Sequence, residues 1–346
     1  MDQVKKYQRC LVMSGGGFRF AYYLGIHAAL QRIGKTPDLL LASCGGAIAA
    51  AIIHALPDDA SRRAWVESPD MYAFWCDLQP NPKATLVNTL SGAAKRWLSK
   101  DVRIIPDLFE DYLFEIPARL PLPDNTQYEG QPAVAIIAGE LLFDPSEVGQ
   151  PRGNRKLFAE TVMCEHAAAT LLNGMQSPMH SDAWGANTIA AQLLTDVTMP
   201  IAEAARASIC DMFYFRCHSW QGRHYIGGAL DLFPIEIAHR LAEQVVMELK
   251  GPYDSIFAIP ALRAVFGTDG KRRLNHVLAQ SAHQWVDTAD MERMLNNPSV
   301  RKRIAWMRNR VELVPPATHQ AYVDGIDAQW RFGYQRGLAG FGVVEK

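Results

Sequence analysis

The sequence predicts an α/β fold: a three-layer α/β/α domain on a mainly parallel central sheet, with a helical cap-like insertion. Three observations predict it. Two strand, glycine-turn, helix units follow one another at the start of the chain. Their strands are continuous apolar runs without alternation, the pattern of strands covered on both faces. Further strand signals return downstream with helical stretches between them. Bulk composition agrees, because 346 residues with 49% hydrophobic and 21% charged side chains can bury a large core. The 25 glycines and 20 prolines follow no Gly-X-Y period and form no proline-rich tract, so fibrous and low-complexity classes are excluded.

The first strand is Arg9–Met13, rich in strand formers and closed by Ser14-Gly15-Gly16-Gly17. Tyr23, Ile26, Leu30 and Ile33 then recur at helical spacing, with Gly34 where a left-handed helix end is expected. Asp38–Ser43 repeats the plan: strand, a Cys44-Gly45-Gly46 turn, and a helix over Ala47–Leu56. From about 65 to 130 the character changes, with Trp65, Trp75, Trp97 and many prolines amid short helical patches, which reads as a cap over the sheet. Strands are expected at Ala133–Ala138, Met212–Arg216, Arg223–Ile226 and Ser255–Ile259, and a helical stretch at Leu157–Leu172. Without an internal repeat or a linker, residues 1–346 read as a single domain.

Several function classes fall away. A formal net charge of −1 supplies no global field toward nucleic acid, and no reader module accompanies it. No window reaches the roughly 18 uninterrupted apolar residues of a membrane span. The longest run, Ala47–Leu56, is broken by His54 and stopped by Pro57, so it reads as a buried helix. Met1–Arg9 is polar and lacks an export signal's apolar stretch. The six cysteines (Cys10, Cys44, Cys76, Cys164, Cys210, Cys217) are dispersed without zinc-ligand spacing, so no zinc site is expected of them, and free thiols suit a cytoplasmic location.

Chemistry is expected where the two glycine turns meet the carboxyl edge of the sheet, the usual place for sites in open α/β folds. Ser14-Gly15-Gly16-Gly17-Phe18-Arg19 puts bare backbone N–H groups at a helix start, fit for a phosphate cradle or an oxyanion hole. The dinucleotide pattern G-x-G-x-x-G is only partly met, since Phe20 fills its third glycine place. Ala42-Ser43-Cys44-Gly45-Gly46 has the layout of the nucleophile elbow G-x-S-x-G, with Ala42 for the first glycine, Cys44 for the serine and Gly46 for the last glycine. A thiol at a helix N-terminus tends to a lowered pKa and is a competent nucleophile, whereas a buried one is a small inert hydrophobe.

Together the two turns resemble those of the patatin-like phospholipase family, whose bacterial members run strand, GGGxRG, helix, strand, GTSAG, helix. Leu11–Arg19 matches the family's oxyanion turn, and Pro37-Asp38-Leu39-Leu40 leads into the elbow as its PDL segment does. Downstream, Ala204-Ala205-Arg206-Ala207-Ser208 looks like its AVRAS block, and Tyr225–Pro234 like its block with DGG and a following proline. Gly333-Tyr334 resembles the terminal GY helix.

The resemblance implies a patatin-like fold and acyl-ester hydrolysis on lipids without metal or cofactor. Gly15, Gly16, Gly17 and Arg19 would form the oxyanion turn, with Arg19 either positioning the loop or pairing with a carboxylate. The chain departs from the family at both members of its Ser–Asp dyad: Cys44 stands for the Ser and Ile226 for the Asp. Isoleucine takes no proton, so a partly ionised thiol is expected to depend less on a base, and deacylation by water to be slow.

Candidate substitutes are Asp231, Asp211 and His224, with Asp211 preferred as a turn or cap residue. His27 and His54 read as structural, Asp324-Gly325 as a turn, and Phe20 as a ring that narrows the site. The alternatives to a hydrolase are a catalytically impaired relative that binds lipid or acyl groups or acts as a scaffold, and, behind it, a nucleotide binder.

Residues 261–312 hold ten Lys or Arg against five Asp or Glu, concentrated in 299–310. Val300, Ile304 and Met307 share one helical face among the cations, with Trp306 beside them. That pattern suits transient peripheral docking on an anionic membrane, or a solvated basic helix packed on its own domain.

Overall fold

The computed structural model describes residues 5–99, 102–125, 127–185, 187–251, 258–295 and 300–343. The opening units form as expected: β1 (Tyr7–Ser14), a 3-10 turn at Gly17–Arg19, α1 (Ala21–Arg32), β2 (Leu39–Ser43) and α2 (Gly45–Ala55). Gly34 has φ +66°, the left-handed end the sequence asks for. The segment after them is mostly helical and irregular, with α3 (Asp59–Val66), α4 (Pro69–Cys76), β3 (Gln79–Pro80), α5 (Leu86–Leu98) and β4 (Phe114–Glu115). Asp58, Ser68 and Thr85 cap α3, α4 and α5 through their side chains. Next come β5 (Ala133–Leu141), β6 (Phe158–Cys164), α6 (His166–Leu172), β7 (Leu194–Asp196) and α7 (Ile201–Ser208). They are followed by β8 (His218–Trp220), β9 (Arg223–Ile226), α8 (Ile235–Leu241), β10 (Ala242–Leu249), α9 (Ala258–Phe266), α10 (Gly270–Leu278) and β11 (Gln284–Asp287). The chain closes with α11 (Met291–Met294), β12 (Arg301–Ala305), β13 (Arg310–Val314) and α12 (His319–Gly340).

The main sheet runs β11-β10-β1-β2-β5-β6-β7, with β9 on β5 and β8 on β9. Its centre, β11 through β5, is parallel, while β6 and β9 run antiparallel to β5. Side chains alternate between two covered faces, so the inner stretches of β1 and β2, Cys10–Met13 and Leu39–Ala42, are apolar on both. Leu11, Met13, Leu40 and Ala42 join the core beneath α1, α2, α7 and α12. Cys10, Val12, Leu39 and Leu41 join the core beneath α6, α8 and α10. The fold is therefore a three-layer α/β/α architecture with a mostly parallel central sheet.

Helix α12 crosses α1 at glycines: a Cβ on Gly333 would lie 1.9 Å from Tyr22 O, and one on Gly25 2.0 Å from Trp330 O. That approach explains the Gly333-Tyr334 pair. None of the described helices is long and apolar enough to cross a membrane.

Five local expectations are corrected. Leu157–Leu172 is strand β6 followed by α6, because a short apolar run reads equally as either until its neighbours are known. Met212–Arg216 is irregular, with Phe213 at φ +63°. β10 occupies a central place that no sequence pattern announced, while of the strand expected at Ser255–Ile259 residues 255–257 lie outside the described residues and Ala258 begins α9. Asp324-Gly325 lies inside α12, whose packing on α1 outweighs the roughly 1 kcal/mol cost of a helical glycine. The basic segment expected as a helix over 299–310 is the β12–β13 hairpin, apart from residue 299, which is not among those described. Glu312 draws it together by accepting from Arg303, Arg308 and Arg310, a cross-strand arrangement no single-segment periodicity reveals.

Candidate active site

Register brings the two turns together, since Ser14 pairs with Ser43 at the ends of β1 and β2. Gly15, Gly16 and Gly17 have φ of +71°, +101° and +54°, three successive left-handed residues that only glycine adopts without strain. Gly15 N–H donates to Ser43 O at 2.9 Å, so it is already engaged, and Gly17 is the member of the turn that lines the adjacent cavity. Beneath the turn the Lys250 amine donates to Ser14 O and sits 3.0 Å from buried Glu248, which also accepts from the Tyr22 hydroxyl at 2.7 Å. Arg19 faces away and meets the exposed Glu292 at 3.4 Å, its carboxylate-pairing role.

Cys44 sits at the sharp corner with φ +51° and ψ −129°, a conformation a non-glycine residue holds only when its surroundings over-determine it. Its N–H donates to Ser208 Oγ at 2.9 Å, and that hydroxyl donates to Ile137 O at 2.6 Å. Ser208 is the last residue of the Ala-Ala-Arg-Ala-Ser block, so that block serves as the elbow's brace. The following glycines have no room for a side chain: a Cβ on Gly45 would meet Gly17 O at 2.4 Å, and one on Gly46 would meet Met13 O at 2.1 Å.

The partner of the thiol is Asp211, whose Oδ2 accepts from Cys44 Sγ at 3.2 Å. Asp211 follows α7 and packs on Gly227, where a Cβ would lie 2.3 Å from its Oδ1. That oxygen is buried and takes no hydrogen bond from the described residues, while the Ala229 backbone favours the charged form of the carboxyl. Burial pushes Asp211 up to about 6, against the pull of the Cys44 hydrogen bond, the Ala229 backbone and Lys302. Burial and then the Asp211 charge push the Cys44 thiol well above its ordinary value, outweighing the Gly45 amide and Lys250. The lowered thiol pKa expected at a helix N-terminus is thereby corrected: desolvation and a neighbouring carboxylate overrule the helix end.

The other candidates lie elsewhere. Ile226 is buried in the cluster of Phe158 and Leu230, against Gly139. Asp231 is fully buried and paired with Arg273 at 3.1 Å, which also holds Glu236 at 2.6 Å, so it belongs to a structural ion cluster. His224 bonds Ser219 Oγ at 2.8 Å and stacks edge-on to Phe109. His27 and His54 are structural, the first beside Arg62 at 3.1 Å and the second on Pro132 O at 2.8 Å. Phe20 does not narrow the site, because it is buried against Trp75, and it is Phe18 that reaches the cavity.

The cavity, of about 410 Å³, opens over Cys44 and Asp211 and is otherwise walled by apolar groups such as Phe18, Ile48, Phe74, Trp75 and Ile116, with Lys302 at one side. Phe18 meets Trp75 edge to face at 5.4 Å. These walls come from the 3-10 turn (Phe18), α2 (Ile48), α4 (Phe74, Trp75), the chain after it (Ile116) and the far hairpin (Lys302); the sequence marked Phe18 in the glycine turn and Trp75 in the cap, but not that they meet over Cys44. Among the described residues no group of three or more His, Cys, Asp or Glu is placed to hold a metal.

A family model described as patatin-like phospholipase matches residues 11–239, a span holding both turns, the elbow and Asp211. No curated protein matches. Among solved structures the chain is similar to the crystal structure of VipD from Legionella pneumophila, at 15% identity and a TM-score of 0.35, over 72% of this chain and 51% of that one. The chain thus spans about half the length of that protein.

Proposed function

This chain belongs to the patatin-like phospholipase family, and from that premise we propose that it cleaves lipid acyl esters with Cys44 as nucleophile and Asp211 as its base. The observation that carries the reading is the 3.2 Å contact from Cys44 Sγ to Asp211 Oδ2 at a strained elbow, on the floor of an apolar cavity. It restores in space the dyad that the sequence lacks at Ile226.

In this mechanism the Asp211 carboxylate takes the Sγ–H proton as Sγ attacks the ester carbonyl. Gly17 and Gly45 both line the cavity with Cys44, and this reading assigns their N–H groups as the donors to the developing oxyanion. Collapse expels the alcohol, which takes the proton from Asp211, and leaves a thioester on Cys44. Water then attacks the thioester, Asp211 again takes a proton, and the acid leaves as the thiol re-forms. With Asp211 as base, hydrolysis replaces the self-acylation or thiol transfer that a baseless thiol would favour. The apolar walls suit an acyl chain, each buried methylene contributing about 0.8 kcal/mol.

A second reading, a lipid-binding relative without turnover, is favoured by the raised thiol pKa, which leaves Cys44 protonated before attack. One experiment separates the two: release of fatty acid from a soluble ester and a thioester by the purified protein, beside Cys44→Ala. Turnover lost in Cys44→Ala is the expected result. Background rates for both proteins on both substrates would overturn the hydrolase reading and leave the binding one.

A further inference from the structure

Beyond the span that the family model matches, the β12–β13 hairpin ends in an apolar tip with nothing of the described chain to cover it. Trp306 is 73% exposed and Met307 103%, the most exposed large apolar residues described. Together with Ile304 on β12 they stand among Arg301, Lys302, Arg303, Arg308 and Arg310. The hairpin's one acid, Glu312, accepts from three of these guanidiniums at 2.9 to 3.1 Å, so the cations are tethered around the tip and remain in excess.

Helix α5 lies alongside, joined at its start by Leu86 N–H donating to Asn309 O at 2.8 Å. Between helix and hairpin runs an apolar groove of about 380 Å³, walled by Leu86, Leu90 and Ala93 on one side and Ile304, Trp306 and Val311 on the other. Leu90 is itself 58% exposed. The groove and the Cys44 cavity share Met212, Tyr214, Ala261 and Lys302 as walls, so the two abut. Lys302 stands at that junction with its amine over the Tyr214 ring at 4.7 Å.

We propose that the hairpin tip and the groove-facing side of α5 form a docking face for an anionic phospholipid surface, which seats the mouth of the Cys44 cavity against the lipid. Charge and shape select that occupant. An aromatic ring and a thioether ringed by cations match a layer of anionic headgroups over hydrocarbon. A folded protein partner would need a cavity shaped to the tip, whereas a fluid headgroup layer needs none. The groove then gives an acyl chain leaving the layer an apolar path to the nucleophile. The proposal rests on the acyl-ester reading for its purpose, but the binding is measurable without turnover.

The test uses the full chain carrying Cys44→Ala, so that vesicles stay intact, sedimented with phosphatidylcholine vesicles with and without about one-fifth phosphatidylserine. Binding to the anionic vesicles is expected, with loss as salt rises from about 0.1 M to about 0.5 M. Adding Trp306→Ala and Met307→Ala should weaken it about ten-fold or more. Arg301→Glu, which keeps the apolar tip, should weaken it about five-fold or more, the factor given by about 1 kcal/mol per cation at such a surface. Equal binding to both vesicle types, no binding to either, or full binding by both sets of variants would overturn the docking face. If docking fails while the wild type cleaves a soluble ester, the hydrolase reading stands alone. Docking without any cleavage separates them in the other direction.

Discussion

Replacing Asp211 by Asn tests the site through stability and activity at once. Burial raises the carboxyl from its ordinary 3.8 to about 6, so its charged form is disfavoured in the fold by about 3 kcal/mol at most, at 1.36 kcal/mol per unit. The sign follows from proton counting. Below both values the group is protonated in folded and unfolded chains alike, and no penalty exists. Between them the unfolded chain has lost the proton and the folded chain still holds it, so stability falls as pH rises. Above about 6 the penalty is complete.

Urea unfolding of wild type and Asp211→Asn, at about pH 4 and about pH 7.5, should therefore show the wild type losing about 2 kcal/mol relative to the variant across that interval, since part of the penalty is already present at about pH 4. Comparing the two proteins cancels every other titrating group, and any fixed cost of burying the Asn amide drops out as well. The same variant should cleave esters roughly 10² to 10⁴ times more slowly. Wild-type kcat/KM should rise with pH through about 6 and then level, because the thiol gives up its proton only well above its ordinary value. A stability difference that does not change with pH, or a variant as active as the wild type, would refute the assignment of Asp211 as a desolvated base.

Two further substitutions probe the frame. Gly46→Ala sets a Cβ 2.1 Å from the Met13 carbonyl, an atom of a central strand that cannot retreat. It should cost at least about 4 kcal/mol, read as loss of folded protein or a collapsed unfolding midpoint, and a normal midpoint would contradict the tight elbow. Arg273→Met leaves Asp231 and Glu236 without their buried cation, so a loss of about 3–5 kcal/mol is expected in the same assay. Because Asp231 lies outside the Cys44 cavity, ester cleavage per folded molecule should persist, and a selective loss of activity would reinstate Asp231 at the site.

Much of the frame was legible in the residues because it is set by local requirements. A left-handed glycine triplet after a strand, an unbroken apolar run and small residues around Cys44 each demand a particular backbone within a few positions. The two units they define are those found, and the expected alignment of both turns at one sheet edge follows from parallel pairing. What was not legible depends on who the distant neighbours are. Asp211 read as a turn residue because its meeting with Cys44 spans 167 residues of chain, and only the docking of α7 on the sheet creates it. The direction of the thiol's pKa depends on burial, which no local pattern reports. The basic segment satisfied a helical period, yet strand pairing and Glu312's place among three arginines settled it as a hairpin. Sequence alone thus determined the sheet's central units and the sharp corner that holds Cys44, whose backbone constraints are local. Tertiary structure alone decided the meeting of Asp211 with Cys44, the walls of the cavity and the direction of both groups' pKa shifts, since these are properties of an enclosed space that distant segments build together.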